Sequence, residues 1–230
     1  MQHPPERIAQ EAAEILLDIN AINLRPEEPY TLSAGWASPC YIDCRKVISF
    51  PEARKKITKL KAELIRERIL GVLDVIAGGE TAGIPYAAWL AEEFNLPMVY
   101  VRKKPKGYGK NAQIEGYFED HSNMLLAEDL ATDGGSKVSF VKAIREAGAK
   151  CSHSTVVFYY GIFPDSGAEL KNIGVNLHFL TDWKNVMQAI ERKGLFQDKD
   201  LDSVNDFLND PVSWSGRHGG LDTPPSRKIA

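Results

Sequence analysis

Cysteine is scarce: Cys40, Cys44 and Cys151 are the whole supply in 230 residues. Three cannot build a disulfide framework, and Cys40 and Cys44 lack the Cys-x-x-Cys spacing of a zinc half-site. They read as reduced, structural residues. The five histidines are scattered, with no His-Glu-x-x-His string and no companion nucleophile. A metal cage built by the protein alone is therefore not expected. No apolar run approaches the ~20 residues that cross a bilayer. Residues 1–6 lack the basic and apolar regions of a secretory signal, so a cytoplasmic location is expected. Excess positive charge is missing too. The formal net charge is −3, whereas nucleic-acid binders are usually basic. Neither common phosphate loop is present. No strand candidate is followed by Gly-x-Gly-x-x-Gly, and Gly134-Gly135-Ser136-Lys137 does not complete Gly-x-x-x-x-Gly-Lys-Ser/Thr.

Residues 123–137 carry a different arrangement. A short apolar run over 124–127 reads as a buried strand. It leads into two acids, Glu128 and Asp129, and then into a glycine-rich turn over 132–136. A helix follows from about Ser136, with Val138, Val141, Ala143 and Ile144 mostly on one face. The carboxylates can accept hydrogen bonds from vicinal hydroxyls, and the loop amides and helix N-terminus can hold a phosphate. Together these features suit a sugar phosphate. The same order also fits a plain βα loop with a capped helix.

Around this segment the pattern alternates. Helices are expected over 6–22, 51–70, 84–94, 137–147, 182–192 and 200–209. Strands are expected over 72–77, 98–101, 114–118, 124–127, 154–160 and 177–180. Residues 30–43, punctuated by Gly35 and Pro39, read as an irregular hairpin. The lysines and arginines of the second helix read as a solvated face. Strands separated by helices of this length imply a parallel sheet with right-handed crossovers. Ligands in such sheets bind beyond the carboxyl ends of the strands. Loops 78–83, 102–111 and 128–136 all lie there. The expected fold class is α/β, a central, mainly parallel sheet flanked by helices. One domain is expected over 1–212, with a smaller hood partly from 1–45 and a poorly ordered tail over 213–230.

A second signal lies in Arg102-Lys103-Lys104-Pro105-Lys106-Gly107-Tyr108-Gly109-Lys110, five cations and no acid in nine residues. Such charges repel one another until an anion arrives. By itself the run also fits a solvated loop or a patch for an acidic partner. Following the 98–101 strand, in the same α/β unit as the acid pair, it suits a lid over diphosphate. With these residues in view, the chain resembles an orotate phosphoribosyltransferase of the type I phosphoribosyltransferase fold. Glu-Asp-Leu-Ala-Thr-Asp-Gly-Gly-Ser at 128–136 is similar to that fold's motif for phosphoribosyl diphosphate (PRPP). Residues 102–116, ending Gln113-Ile114-Glu115-Gly116, resemble the orotate enzyme's flexible loop. Tyr30-Thr31-Leu32-Ser33-Ala34-Gly35, with Ser38-Pro39 and Tyr41-Ile42-Asp43, resembles its orotate-side segment. Residues 78–85 resemble its diphosphate loop.

The resemblance implies transfer of phosphoribose from PRPP to orotate, giving orotidine 5′-phosphate and diphosphate in pyrimidine (UMP) biosynthesis. It implies that Glu128 and Asp129 hold the ribose hydroxyls, directly or through Mg2+ carried largely by PRPP. Leu130, Ala131, Thr132, Asp133, Gly134, Gly135 and Ser136 would cradle the 5-phosphate. Thr132 would also face orotate, with Tyr41 and Ile42 walling the base. Arg102, Lys103 and Lys106 would contact PRPP, with loop 102–111 shared across the subunits of a homodimer. Lys103, Lys106 and Asp129 are the implied catalytic residues. No nucleic acid or membrane partner is implied. The chain departs from many relatives at Ser33 and Ala82, where they carry lysine, and at Tyr108, where they carry histidine. The strand end near Tyr160 lacks an arginine that often grips orotate, for which Arg45, Lys46 or Lys104 are the available substitutes. The alternatives are a phosphoribosyltransferase for another base and a non-catalytic PRPP-sensing regulator.

Overall fold

The computed structural model describes residues 3–32, 35–106, 113–132, 135–163 and 166–223. The chain opens with helix α1 (Glu6–Asp18), whose Ile8, Ala12, Ile15 and Leu16 are buried at helical spacing. It ends earlier than the apolar pattern suggests, because Asn20 adopts a positive φ and the chain turns into a hood. There β1 (Ile22–Leu24), β2 (Tyr30–Thr31), β3 (Ala37–Ser38) and β4 (Cys40–Ile42) form two small antiparallel pairs, β1 with β4 and β2 with β3. The irregular hairpin expected over 30–43 is thus split between them.

Pro51 opens α2 (Pro51–Arg68), where its fixed φ suits the first helical turn. The alternating part then follows as β5 (Val75–Gly79), α3 (Gly83–Phe94), β6 (Met98–Val101), β7 (Ile114–Glu115), β8 (Asn123–Ala127), β9 (Leu130–Ala131), α4 (Gly135–Glu146) and β10 (Lys150–Tyr159). It closes with α5 (Ala168–Asn172), β11 (Asn176–Asp182), α6 (Trp183–Lys193), α7 (Asp198–Asn209) and α8 (Pro211–Arg217). The expected strand over 114–118 shrinks to two residues, and β10 starts earlier than expected.

The central sheet runs β11-β10-β8-β5-β6-β7, with β9 also paired to β10. Every pair in it is parallel except β6 with β7. Both faces are covered, so the strands are almost continuously apolar. Ile76, Leu125 and Ala127 pack with α2 and α3, while Val75, Ala77, Met124 and Leu126 pack with α4. From β5 the chain goes to β6 on one side and returns to β8 on the other. The order therefore reverses between β5 and β8, and ligands in open α/β sheets collect outside that point. Loop 80–82 and the pair Glu128–Asp129 emerge there.

The region expected to be poorly ordered from residue 213 is instead partly helical. Asp210 caps α8 by accepting from Ser213 N (3.1 Å), and Pro211 occupies its first turn. Trp214 is buried, stacked on His218 and edge-on to Phe207. Apolar contact explains the order: the indole completes the hood core that Val204 and Phe207 begin. Ser215 Oγ accepts from Ala37 N (2.9 Å), and Leu221 N donates to Gly35 O (3.1 Å). Trp214→Ala should cost roughly 3–5 kcal/mol, the range for emptying a buried tryptophan site. Urea unfolding checks this, and an unchanged midpoint would show that α8 contributes nothing to the fold.

Candidate functional site

The β8 strand ends at Ala127, and Glu128 and Asp129 continue the backbone without leaving the sheet. Glu128 N donates to Thr155 O (2.9 Å), and Val157 N donates to Asp129 O (2.8 Å). Both acids are nearly buried. The Asp129 carboxylate accepts from Leu130 N (2.8 Å). Glu128 Oε1 has no hydrogen-bond partner among the described residues. It lies against Gly79 and Gly83, where a Cβ would collide with it. These two glycines are what let the segment joining β5 to α3 approach the acid pair so closely. Residues at this end of the sheet border a cleft of about 700 Å³.

Most of the sites read from the sequence meet in that cleft. Tyr41 and Ile42 come from the hood, Glu80, Thr81 and Ala82 from the β5–α3 loop, and Lys103 from the end of β6. Glu128, Asp129, Leu130 and Thr132 come from the β8 end, and Ser136 and Lys137 from the start of α4. The backbone N–H of Lys103 donates to Glu80 Oε2 (2.7 Å), tying the basic segment to the β5 loop. Ala131 is buried in β9, its carbonyl accepting from Tyr160 N (2.8 Å). Gly135 begins α4. Asp133 and Gly134 lie outside the described residues, as do Ser33, Tyr108 and the 107–112 part of the basic loop.

Arg102 and Lys106 do not line this cleft. Lys106 Nζ lies 2.5 Å and Arg102 Nη1 3.6 Å from Glu115 Oε1. Two cations of the run thus share one carboxylate from the strand that follows it, and Glu115 is held below the usual carboxylate range chiefly by its hydrogen bond to Lys106. Among the substitutes for the missing arginine, Arg45 alone borders the cleft. Its guanidinium donates to Tyr41 Oη (3.0 Å) and Asp43 Oδ1 (2.9 Å). Lys46 is spent on Asn20 O (2.7 Å). Tyr160 is buried against Phe158 and Trp183, away from the cleft.

Sequence reasoning missed Lys61. Read as part of a solvated face, it is instead fully buried. Its ammonium donates to Glu128 O (3.0 Å) and sits 4.6 Å from the Tyr86 ring centroid. The signal was available: Lys61 stands four residues after Ile57 and three and four before Leu64 and Ile65, on the apolar stripe. Lys137, also buried, donates to Leu130 O (2.6 Å). Burial lowers the Lys61 ammonium to about 7 against the opposing pull of Asp129. Burial also pushes the Glu128 carboxyl up to about 7; Lys137 resists this and Asp129 adds to it. The thiols of Cys40, Cys44 and Cys151 are free, buried and pushed up by burial. Among the described residues, no three His, Cys, Asp or Glu side chains converge on a metal position. Nor is any helix there long and apolar enough to cross a membrane.

No family model matches the chain. The orotate phosphoribosyltransferase of Rhizobium meliloti is 48% identical over 215 residues, 93% of each chain. That of Cereibacter sphaeroides is 52% identical over 212 residues, 92% of this chain and 91% of the other. The chain belongs to the orotate phosphoribosyltransferase family. Among solved structures, orotate phosphoribosyltransferase from Aeropyrum pernix superposes with a TM-score of 0.68 at 27% identity, covering 79% of this chain and 97% of that one. The family fold, α/β with a mostly parallel sheet flanked by helices, is the one described above.

Glu128 gives a pH test. A carboxyl raised by folding holds its proton more tightly in the folded chain. Its contribution therefore falls as pH rises from the ordinary value of 4.5 through about 7. Glu128→Gln should remove this fall. Thermal melts without ligands should show wild type losing ground to the variant across that window, and parallel curves would refute the assignment.

Proposed function

We propose that this chain transfers phosphoribose from PRPP to N1 of orotate in the cytoplasm, with the residues of this cleft in the roles below. One observation carries the reading: the acid pair, Lys103 and the Tyr41–Arg45 wall border a single cleft at the sheet's reversal point. Glu128 and Asp129 accept from the ribose hydroxyls, and residues 130–136 receive the 5-phosphate. Tyr41, Ile42 and Thr132 flank the base. Arg45 grips the orotate carboxylate, which a guanidinium matches in charge and geometry.

In the reaction the C1–diphosphate bond breaks, its electron pair leaving with diphosphate; N1 of orotate forms the new bond to C1, and the N1 proton passes to an oxygen of the departing diphosphate. Positive charge develops on the ribose ring while negative charge builds on the leaving group. Lys103 and Lys106 stabilise that leaving group in a site closed to water. For Lys106 and Arg102 this means exchanging Glu115 for diphosphate, an exchange favoured by the higher charge of the incoming anion. Because these two side chains stand away from their own cleft while Lys103 borders it, we take the 102–111 loop to be shared between the subunits of a homodimer, Lys103 serving its own cleft and Arg102 and Lys106 the neighbouring one.

Glu128 and Asp129 suit a hard divalent cation, being adjacent carboxylates at the cleft, but they are too few to enclose one. Mg2+ held there and by substrate oxygens would screen the diphosphate charge.

Release of diphosphate from PRPP, assayed with orotate, uracil, hypoxanthine and adenine in turn, tests the function. Orotate should be the efficient acceptor, and turnover of a purine in its place would reject the assignment. Lys106→Ala should lower kcat by about 10²-fold or more, the scale of one oxyanion-type contact. Unchanged turnover would remove the loop from the mechanism. Arg45→Ala should raise KM for orotate about tenfold or more, the scale of one hydrogen bond to a charged group, while KM for PRPP holds. Equal effects on both substrates would contradict the carboxylate role.

A further inference from the structure

Lys61 is costly to keep where it is. It sits on the inner face of α2 among Ile57, Leu64 and Ile65, with none of its surface exposed. A buried ammonium is stable only when compensated, and an apolar side chain of similar length would fill the same space without that cost. Its compensation comes from the acid pair. The ammonium holds the Glu128 carbonyl at 3.0 Å, at the point where β8 passes into the cleft. Glu128 and Asp129 both act on it electrostatically. On its other side the Tyr86 ring offers its face, and Tyr86 Oη is itself tied to Cys44 O (2.7 Å). The lysine is thus wedged between a fixed aromatic ring and the peptide that carries the carboxylates.

We infer that Lys61 is a positioning residue for donor binding: from behind the sheet it fixes the Glu128–Asp129 peptide and supplies the positive charge that lets two adjacent carboxylates face a ribose diol. It touches no substrate, because it does not border the cleft. Two terms are separable, the hydrogen bond to the Glu128 carbonyl and the charge behind the pair. Glutamine can reach for the carbonyl without the charge, and methionine supplies neither.

The inference rests on the PRPP reading above, and calorimetry with PRPP and Mg2+ keeps the two apart. Wild type that takes up no PRPP would overturn both. Lys61→Met should fold but melt below wild type, since removing one partner leaves the acid pair without its buried counter-charge. In the folded variant PRPP affinity should also fall about tenfold or more, the scale of a charge-assisted contact, with KM for orotate unchanged. Lys61→Gln should bind PRPP with intermediate strength. Wild-type PRPP affinity in a folded Lys61→Met protein would overturn the inference while leaving the function standing. So would equal weakening of both substrates, or failure of both variants to fold, because either result assigns Lys61 to the scaffold alone.

Discussion

Two neighbouring carboxylates at the mouth of a parallel sheet set the terms for the rest of the structure. Glu128 and Asp129 are nearly buried and of like charge, an arrangement that is unfavourable unless something opposes it. The opposition is built into the elements on either side. Lys61 reaches from α2 and Lys137 from α4, each bonded to a carbonyl of the 128–130 segment. Gly79 and Gly83 then allow the β5–α3 loop to close over the Glu128 carboxylate. Helix, strand and loop are placed so that a charged site can exist within an otherwise apolar core.

The other wall of the cleft obeys a different logic. Arg45 and Lys103 border it, whereas Arg102 and Lys106 stand outside it and share the single carboxylate of Glu115. An exposed ion pair of this sort contributes little to stability, so it yields readily to a polyanion. The carboxylates are held rigidly while the cations are held loosely. Under the proposed function, this division suits a site that must admit a donor, close on it, and let diphosphate go.

Much of this was legible in the sequence. The motif strand announced itself because an apolar run stops abruptly at two acids, as a strand end facing a cleft would, although a plain βα loop fitted the same order. The β5–α3–β6 unit was legible in kind, since its periodicities switch between strand and helix, but the strand expected over 72–77 begins at Val75, and Val72 is exposed in a short 3-10 turn. Lys61 escaped because α2 alternates cations with apolar residues so densely that the buried one is not distinguished by composition. Only its spacing from Ile57, Leu64 and Ile65 marks it. Helix α8 escaped for the opposite reason. A stretch rich in glycine and serine looks unstructured, and its order depends on Trp214 packing on Phe207 and on hydrogen bonds to Gly35 and Ala37, far away in the chain. The choice of Arg45 over Lys46 depended on tertiary contacts that no local pattern encodes.

The docking of residues 211–221 on the hood also bears on how the molecule is made. The bond from Ala37 to Ser215 spans 178 positions, and contacts of such separation form late because loop closure precedes any reward. The acid pair's own backbone partners, Thr155 and Val157, follow it closely in the chain, so that end of the sheet can close before the segment that braces the hood is available.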